Sequence, residues 1–227
     1  METRSIAIDG PSGAGKSTLA KMTAKELGII YVDTGALYRT IALFTIRAGV
    51  DTTDEHGVSE LLPKIALEMK YDDTGTQRML LCGDDVTDEI RTPEVSIGAS
   101  NVSALPPVRE YLLQMQRDMA IRYDVIMDGR DIGTVVLPNA GVKIFLSAAP
   151  EVRARRRYDE LIAAGRDVKY EDVLSDLIMR DTNDSTRKNA PLKPSEGAVM
   201  LDTTEIGLDE SFRRVLGIID ERLSETA

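Results

Sequence analysis

The run Gly10-Pro11-Ser12-Gly13-Ala14-Gly15-Lys16-Ser17 has the spacing G-x-x-x-x-G-K-[ST] of a phosphate-binding loop. Glycines at these positions let the backbone wrap an anion so that several N–H groups point at it. A helix starting at the end of the loop adds the partial positive charge of its N-terminus. Lys16 supplies a charge that can reach the terminal phosphates of a nucleotide. The Ser17 hydroxyl can hold a magnesium ion, and Thr18 completes the phosphate-binding set. A glycine-rich turn without a ligand is the alternative, and the context argues against it. Ile6-Ala7-Ile8 before the loop reads as a buried strand, and Leu19, Met22 and Leu27, with Ala20 and Ala24, read as a helix ending at Gly28.

Four further groups of charged residues are candidates for chemistry. Asp128-Gly129-Arg130-Asp131 follows an apolar run, and an acidic residue at a strand's carboxyl end can organise the water shell of a magnesium ion. A plain turn needs the Asp-Gly but not the Arg-Asp behind it. Asp33-Thr34-Gly35-Ala36-Leu37-Tyr38-Arg39 also follows a strand, and Arg39 lies off the apolar stripe of its helix. It is either a solvent-facing arginine or a clamp on a second phosphate. Arg153, Arg155, Arg156 and Arg157 read mostly as a solvated helix face. Arg180, Asp184 and Arg187 fall at i, i+4 and i+7 and share one helical face, as an intrahelical ion pair or as an arginine pair closing over transferring phosphates.

The elements that must position these residues alternate. Ile6–Asp9, Ile29–Val32, Val125–Asp128, Val142–Leu146 and Ala198–Leu201 read as short strands apolar on both faces. Helical stripes run through Leu37, Ile41, Phe44 and Ala48, through Val108, Leu112, Met115 and Met119, and through Leu208, Phe212, Val215 and Ile219. The fold class expected is α/β, a doubly wound five-stranded parallel sheet with ligands at the strands' carboxyl ends. Two regions break the alternation. Around 51–91, Leu67–Tyr71 and Gln77–Cys82 flank Asp72-Asp73-Thr74-Gly75, which predicts an antiparallel hairpin insert. Around 153–188, two charged helical stretches flank Gly165-Arg166-Asp167 and predict a lid poor in large apolar residues.

Composition sets the outer limits. The chain has 227 residues, is 42% hydrophobic and carries a formal charge of −10. That is enough for one substantial domain, and the acidity argues against a protein that coats a nucleic acid polymer. No eighteen-residue apolar run predicts a membrane span, and no signal segment precedes the first strand. Cys82 is the one cysteine, so no internal disulfide is possible; a cytoplasmic setting is expected and the thiol reads as packed in the core. His56 is the one histidine, in a polar stretch that reads as solvated, which argues against histidine-based acid–base or metal chemistry.

The chain resembles the bacterial cytidylate kinases, a branch of the nucleoside monophosphate (NMP) kinases. The resemblance covers Ile8 to Ser17, Asp33 to Arg39, Glu89-Ile90-Arg91-Thr92-Pro93-Glu94-Val95, Pro107-Val108-Arg109, Asp128 to Val136, Lys143-Ile144-Phe145-Leu146 and Arg180 to Arg187. The loop motif alone is shared widely; the Asp128 to Val136 block and the insert are more specific. The resemblance implies a P-loop NTPase fold, one NMP kinase domain over 1–227, with an NMP-binding region including the insert at about 34–105 and a helical lid at about 153–188. It implies ATP as phosphoryl donor, with Mg2+, over Gly10 to Thr18, and CMP or dCMP as acceptor in the cleft. Arg39, Arg130 and Arg187 would bind the acceptor phosphate, Ser100, Arg109 and Asp131 the cytosine, and Arg180 and Asp184 would approach the pentose. Thr34, where the family often has Ser, joins the substrate set, and Lys16, Arg180 and Arg187 would serve transfer. A monomer acting on small molecules is implied. The alternatives are a kinase for UMP or a small alcohol, a GTPase switch, and a nucleotide-gated interaction module; the Asn-Lys-x-Asp that a guanine site wants is absent.

Overall fold

The computed structural model describes residues 3–225, so residues 1, 2, 226 and 227 of the expected 1–227 span lie outside the described residues. The first half of the chain runs β1 (Ser5–Asp9), α1 (Lys16–Leu27), β2 (Ile30–Asp33), α2 (Thr34–Arg47), α3 (Glu55–Leu61), β3 (Leu67–Tyr71), β4 (Gln77–Leu81) and β5 (Asp84–Asp85). Then come α4 (Pro93–Val102), α5 (Pro106–Arg122) and β6 (Val125–Gly129), followed by a π-helical turn at Ile132–Val136. The chain closes with β7 (Val142–Ser147), α6 (Pro150–Ala163), α7 (Tyr170–Thr186), β8 (Val199–Asp202) and α8 (Leu208–Glu225).

Five strands form a parallel sheet in the order β2-β6-β1-β7-β8. The central strand explains the unbroken apolar runs. Ile6 and Ile8 face a cluster shared with Leu19 and Ala20 of α1 and Val215 and Ile219 of α8. Ala7, between them, faces a second cluster with Val32, Met127, Ala120 of α5 and Ile132 of the π-turn. Both faces are covered, so alternation has nothing to expose. The expected strands are all present, displaced by about a residue at their ends. At the carboxyl edge stand Asp9, Asp33 and Asp128, all buried.

The helices follow their capping chemistry. Gly15, with φ 91°, opens α1, and Gly28, with φ 64°, closes it, conformations that glycine adopts without a Cβ penalty. Asp33 caps α2 by accepting the Ala36 N–H, and Thr92 caps α4 by accepting that of Val95. Ala48 lies just past the end of α2 and is exposed, so the predicted stripe runs only through Leu37, Ile41 and Phe44.

The insert is a three-stranded antiparallel sheet, β3-β4-β5. Its inner face joins α2, α4 and α5 in a separate apolar cluster that contains Met79, Leu81, Leu37, Val95 and Leu112. Cys82 corrects the expectation of a core thiol: it is exposed, with φ 52°, at the turn into β5. Gln77, Met79 and Leu81 are the buried positions of β4, so Cys82 is out of phase with them. His56 is exposed as expected, 3.4 Å from Glu60 one helical turn on.

In the lid region, α6 and α7 pack through a small cluster of their own, Ala154, Val173 and Leu177 with Tyr158, Leu161 and Leu174 around them. The expected solvated arginine face is corrected at two positions. Arg153 is buried; it donates to the carbonyls of Ala148 and Ser12 and pairs with Asp181 at 2.6 Å. Arg156 donates to the Thr203 carbonyl at 2.7 Å. Arg155 stacks on Tyr170, and Arg157 pairs with Glu160.

Candidate active site

A cleft of about 720 Å³ opens at the carboxyl edge of the sheet, between the phosphate-loop half, the insert-bearing half and the lid helices. Every predicted site residue lines it except Gly10 and Pro11. Those two lie at the root of the loop. Gly10 has φ +149°, and a Cβ there would come within 2.0 Å of the Leu146 carbonyl oxygen, so the close pass of the loop over β7 requires glycine.

At the loop end, Lys16 is buried and its Nζ donates to the Pro11 carbonyl at 2.7 Å. Burial, with the Arg130 charge nearby, pushes its pKa down to about 7. Ser17 Oγ donates to Asp128 Oδ2 at 2.8 Å, and Tyr31 Oη donates to Asp128 Oδ1 at 2.8 Å. Burial raises the pKa of Asp128. No group of three or more His, Cys, Asp or Glu side chains able to hold a metal occurs among the described residues. A hydroxyl backed by a carboxylate, without an all-protein cage, fits an ion that keeps waters and phosphate oxygens as its other ligands, which is the habit of Mg2+.

Asp9 ends β1 just before the loop. Its two carboxylate oxygens accept the N–H groups of Ile132 and Gly133, each at 2.7 Å. This ties the start of the loop to the turn carrying Arg130 and Asp131. Burial raises its pKa to about 6, against the lowering effect of the two N–H bonds.

The arginines of the cleft are held by carboxylates on different elements. Arg39 Nη2 donates to Asp33 Oδ2 at 2.8 Å, and Arg91 stands 3.7 Å from the same oxygen. Arg130 Nε donates to Asp184 Oδ2 at 2.8 Å. Arg109 donates to Asp131 Oδ2, and Arg187 Nη2 lies 3.4 Å from Asp131 Oδ1. The nearby arginines hold Asp33 and Asp184 below the usual carboxylate range despite burial. Asp184 therefore pairs across the cleft to Arg130 rather than along its own helix, and Arg187 sits at the C-cap just past α7. The Nε of Arg180, like that of Arg39, is buried and finds no hydrogen-bond acceptor, and burial with neighbouring arginines lowers the Arg180 pKa to about 10. Such a cation suits an incoming anion.

Two predicted hydroxyls are partly engaged. Thr34 Oγ1 donates to the Asp128 carbonyl at 2.8 Å, and Ser100 Oγ lies 3.4 Å from Asp184 Oδ1. Asp33, Arg91, Tyr38 and Ser103, to which the motifs assign no role, also line the cleft. An acidic residue directly before a helix, as at Asp33, was the available signal; Ser103 carried none.

A family model described as Cytidylate kinase matches residues 6–221. The chain is 47% identical over 217 residues to the cytidylate kinase of Carboxydothermus hydrogenoformans, covering 96% of this chain and 97% of that protein. It is 49% identical over 213 residues to the cytidylate kinase of Caldanaerobacter subterraneus subsp. tengcongensis, covering 94% and 93%. The figures for the cytidylate kinase of Geobacter sp. are 46% over 220 residues, covering 97% and 94%. A model that matches from the first strand into the last helix, and relatives this similar along almost their whole lengths, establish that the chain belongs to the cytidylate kinase family.

Proposed function

We propose that this protein transfers the γ-phosphoryl group of ATP to CMP or dCMP, giving CDP or dCDP and ADP. The observation that carries the reading is one cleft in which a phosphate-loop lysine, an unpartnered lid arginine and an Asp131–Arg109 pair converge. ATP lies over Gly10 to Thr18, and Ser17 would hold Mg2+, with Asp128 behind the hydroxyl. The ion would supply neutralisation of phosphate charge. Lys16 exchanges the Pro11 carbonyl for phosphate oxygens. Arg39, Arg130 and Arg187 bind the acceptor phosphate, turning toward it from carboxylate partners that already hold them extended. An acceptor oxygen attacks the γ-phosphorus in line as the bond to the bridging oxygen of ADP breaks, and Arg180 faces the charge on the transferring group. The work is positioning, charge neutralisation and exclusion of water.

Cytosine offers an amino donor at C4 and acceptors at N3 and O2. An ionised Asp131 accepts from the amino group, and Arg109 and Ser100 serve the remaining edge; Thr34 and Asp184 complete the acceptor wall. In this reading residues 34–105 form the acceptor-binding region and 153–188 the lid of one kinase domain. A monomer acting on small molecules goes with the reading. A cytoplasmic setting, where ATP is supplied, goes with the reading; no helix among the described residues is long and apolar enough to cross a membrane.

The test is an acceptor panel. ADP formation from ATP-Mg2+ is followed with CMP, dCMP, UMP, AMP or no acceptor, with and without EDTA. Turnover is expected only with metal and acceptor present, and fastest with the cytidine nucleotides. Turnover independent of acceptor, or equal for all of them, would overturn the proposal.

A further inference from the structure

Strand β2 is the edge of the parallel sheet and, among the described residues, pairs only with β6. Its outer N–H and C=O groups need partners from elsewhere. The insert supplies them through two side chains that face each other across the hairpin, Tyr71 of β3 and Gln77 of β4. Tyr71 Oη donates to the Tyr31 carbonyl at 2.9 Å. Gln77 Oε1 accepts the Asp33 N–H at 2.8 Å, while Gln77 Nε2 donates to the Asp33 carbonyl at 3.3 Å. One side-chain amide thus does for Asp33 what a neighbouring strand's peptide would do. Gln77 is itself buried, with Nε2 also 3.3 Å from Met79 Sδ, so it is fixed by the hairpin rather than by solvent.

Asp33 in turn is the residue on which Arg39 and Arg91 converge. Its Oδ1 accepts the Ala36 N–H at 2.9 Å, and its Oδ2 accepts from Arg39 at 2.8 Å and faces Arg91 at 3.7 Å. The main chain of Asp33 is therefore set by the insert, and its carboxylate sets Arg39. There is little slack: a Cβ at Gly35 would meet Arg39 Nη1 at 3.1 Å and Asp33 Oδ1 at 3.2 Å.

We propose that Gln77 is a positioning residue for the acceptor phosphate, through which the antiparallel insert fixes Asp33 and thereby aims Arg39 into the cleft. This rests on the reading of Arg39 as an acceptor-phosphate ligand. The insert then has a part in the reaction although none of its strand residues lines the cleft.

The experiment compares the full chain with Gln77→Leu, Arg39→Ala, the double variant and Tyr71→Phe, measuring KM for CMP, KM for ATP, kcat and Tm. Gln77→Leu removes the acceptor of the buried Asp33 N–H and the side-chain donor to its carbonyl. It should raise KM for CMP about fivefold or more while KM for ATP stays within about twofold. Arg39→Ala should raise KM for CMP at least as much, and the double variant should be no worse than Arg39→Ala alone, because both changes remove the same aimed guanidinium. Tyr71→Phe removes the other tie of the same hairpin; it should lower Tm with KM for CMP unchanged. The inference is overturned by an unaltered KM in Gln77→Leu, by an equal rise in Tyr71→Phe, or by multiplicative effects in the double variant. If Arg39→Ala alone leaves KM for CMP unchanged, the acceptor-phosphate reading falls first and the inference with it. Should Gln77→Leu not fold, Gln77→Glu keeps the bond from the Asp33 N–H and loses the one to its carbonyl. A rise in KM for CMP then supports the inference, and none overturns it.

Discussion

Lys16 occupies its site by donating to the Pro11 carbonyl, a neutral acceptor that a phosphate oxygen outcompetes. Lys16→Ala is expected to fold and to lose nearly all phosphoryl transfer, since the chain keeps its core and loses a fixed charge at the transition state. Circular dichroism beside a coupled ADP assay checks this; near-normal turnover in a folded variant refutes it. Asp131 tests base choice. The rival role, steadying the phosphate clamp, would act through Arg187 and not Arg130: Arg130 pairs with Asp184, and Asp131 with Arg109 and Arg187. An ionised carboxylate meets the uracil O4 acceptor against acceptor, a mismatch of about 1–3 kcal/mol, or roughly 5- to 150-fold. Asp131→Ala lowers kcat/KM for both pyrimidines, because two arginines lose their carboxylate, but lowers it more for CMP. An unchanged CMP/UMP ratio would remove the base-reading role. Asp9 makes a prediction in pH. Its folded pKa is about 6 against an ordinary 3.8, so between those values the folded state holds a proton that the unfolded state has released. Stability contributed by that proton is lost as pH rises through the window, at most ~3 kcal/mol in all. Asp9→Asn has no such titration. Its stability relative to the parent, measured by urea unfolding, should therefore rise between pH about 4 and about 7; a constant difference contradicts the assignment.

At the level of elements, the lid is two helices with a small cluster of their own, joined to the phosphate loop by Arg153. Its further ties to the rest are polar pairs, Arg130 with Asp184 and Arg187 with Asp131, which bound nucleotides would exchange as the helices close. Arg180→Ala and Arg187→Ala should each lower kcat strongly. An arginine supplied to phosphoryl transfer is worth about 10³ to 10⁵ in rate, and a shared task divides that between them. Amide hydrogen exchange over 153–188 should slow when both nucleotides bind; exchange unchanged with a bisubstrate analogue counts against closure. The pattern of these elements was readable where a local rule governs them. The G-x-x-x-x-G-K-S spacing, the Gly28 stop and the Asp72-Asp73-Thr74-Gly75 turn act over a few residues. Arg153 was misread because a helix wheel places it among charged neighbours, while only packing brings the Ser12 carbonyl and Asp181 to it. Cys82 was misread because its apolar neighbours suggested core, whereas strand parity and the turn expose it.

On the scale of the whole molecule, the apolar clusters of the phosphate-loop half and of the insert-bearing half are separate, with the cleft between them. Met69 of the insert packs against both the insert-side cluster and the sheet cluster that holds Ala7 and Met127, so the halves are joined beside the cleft, and nucleotides that span it should draw its walls together. Small-angle scattering is expected to report a smaller radius of gyration with a bisubstrate analogue than without it; equal radii would mean that the cleft is already closed. The chain is acidic overall, at −10, yet its cleft is lined with arginines. That contrast is arranged by the fold, since net charge says nothing of where charges point. The amino-acid sequence by itself determined the elements and the chemistry of the loop, because hydrophobic period, glycine placement and motif spacing are local quantities. Through the family resemblance it also identified the positions that line the cleft. Tertiary structure alone decided the pairings: Arg130 with Asp184 instead of its neighbour Asp131, Asp9 on the N–H groups of Ile132 and Gly133, and Gln77 on the main chain of Asp33. Each joins residues far apart in the chain through directional bonds a few ångströms long. Such bonds depend on how strands, insert and lid are placed together, which no window of sequence contains.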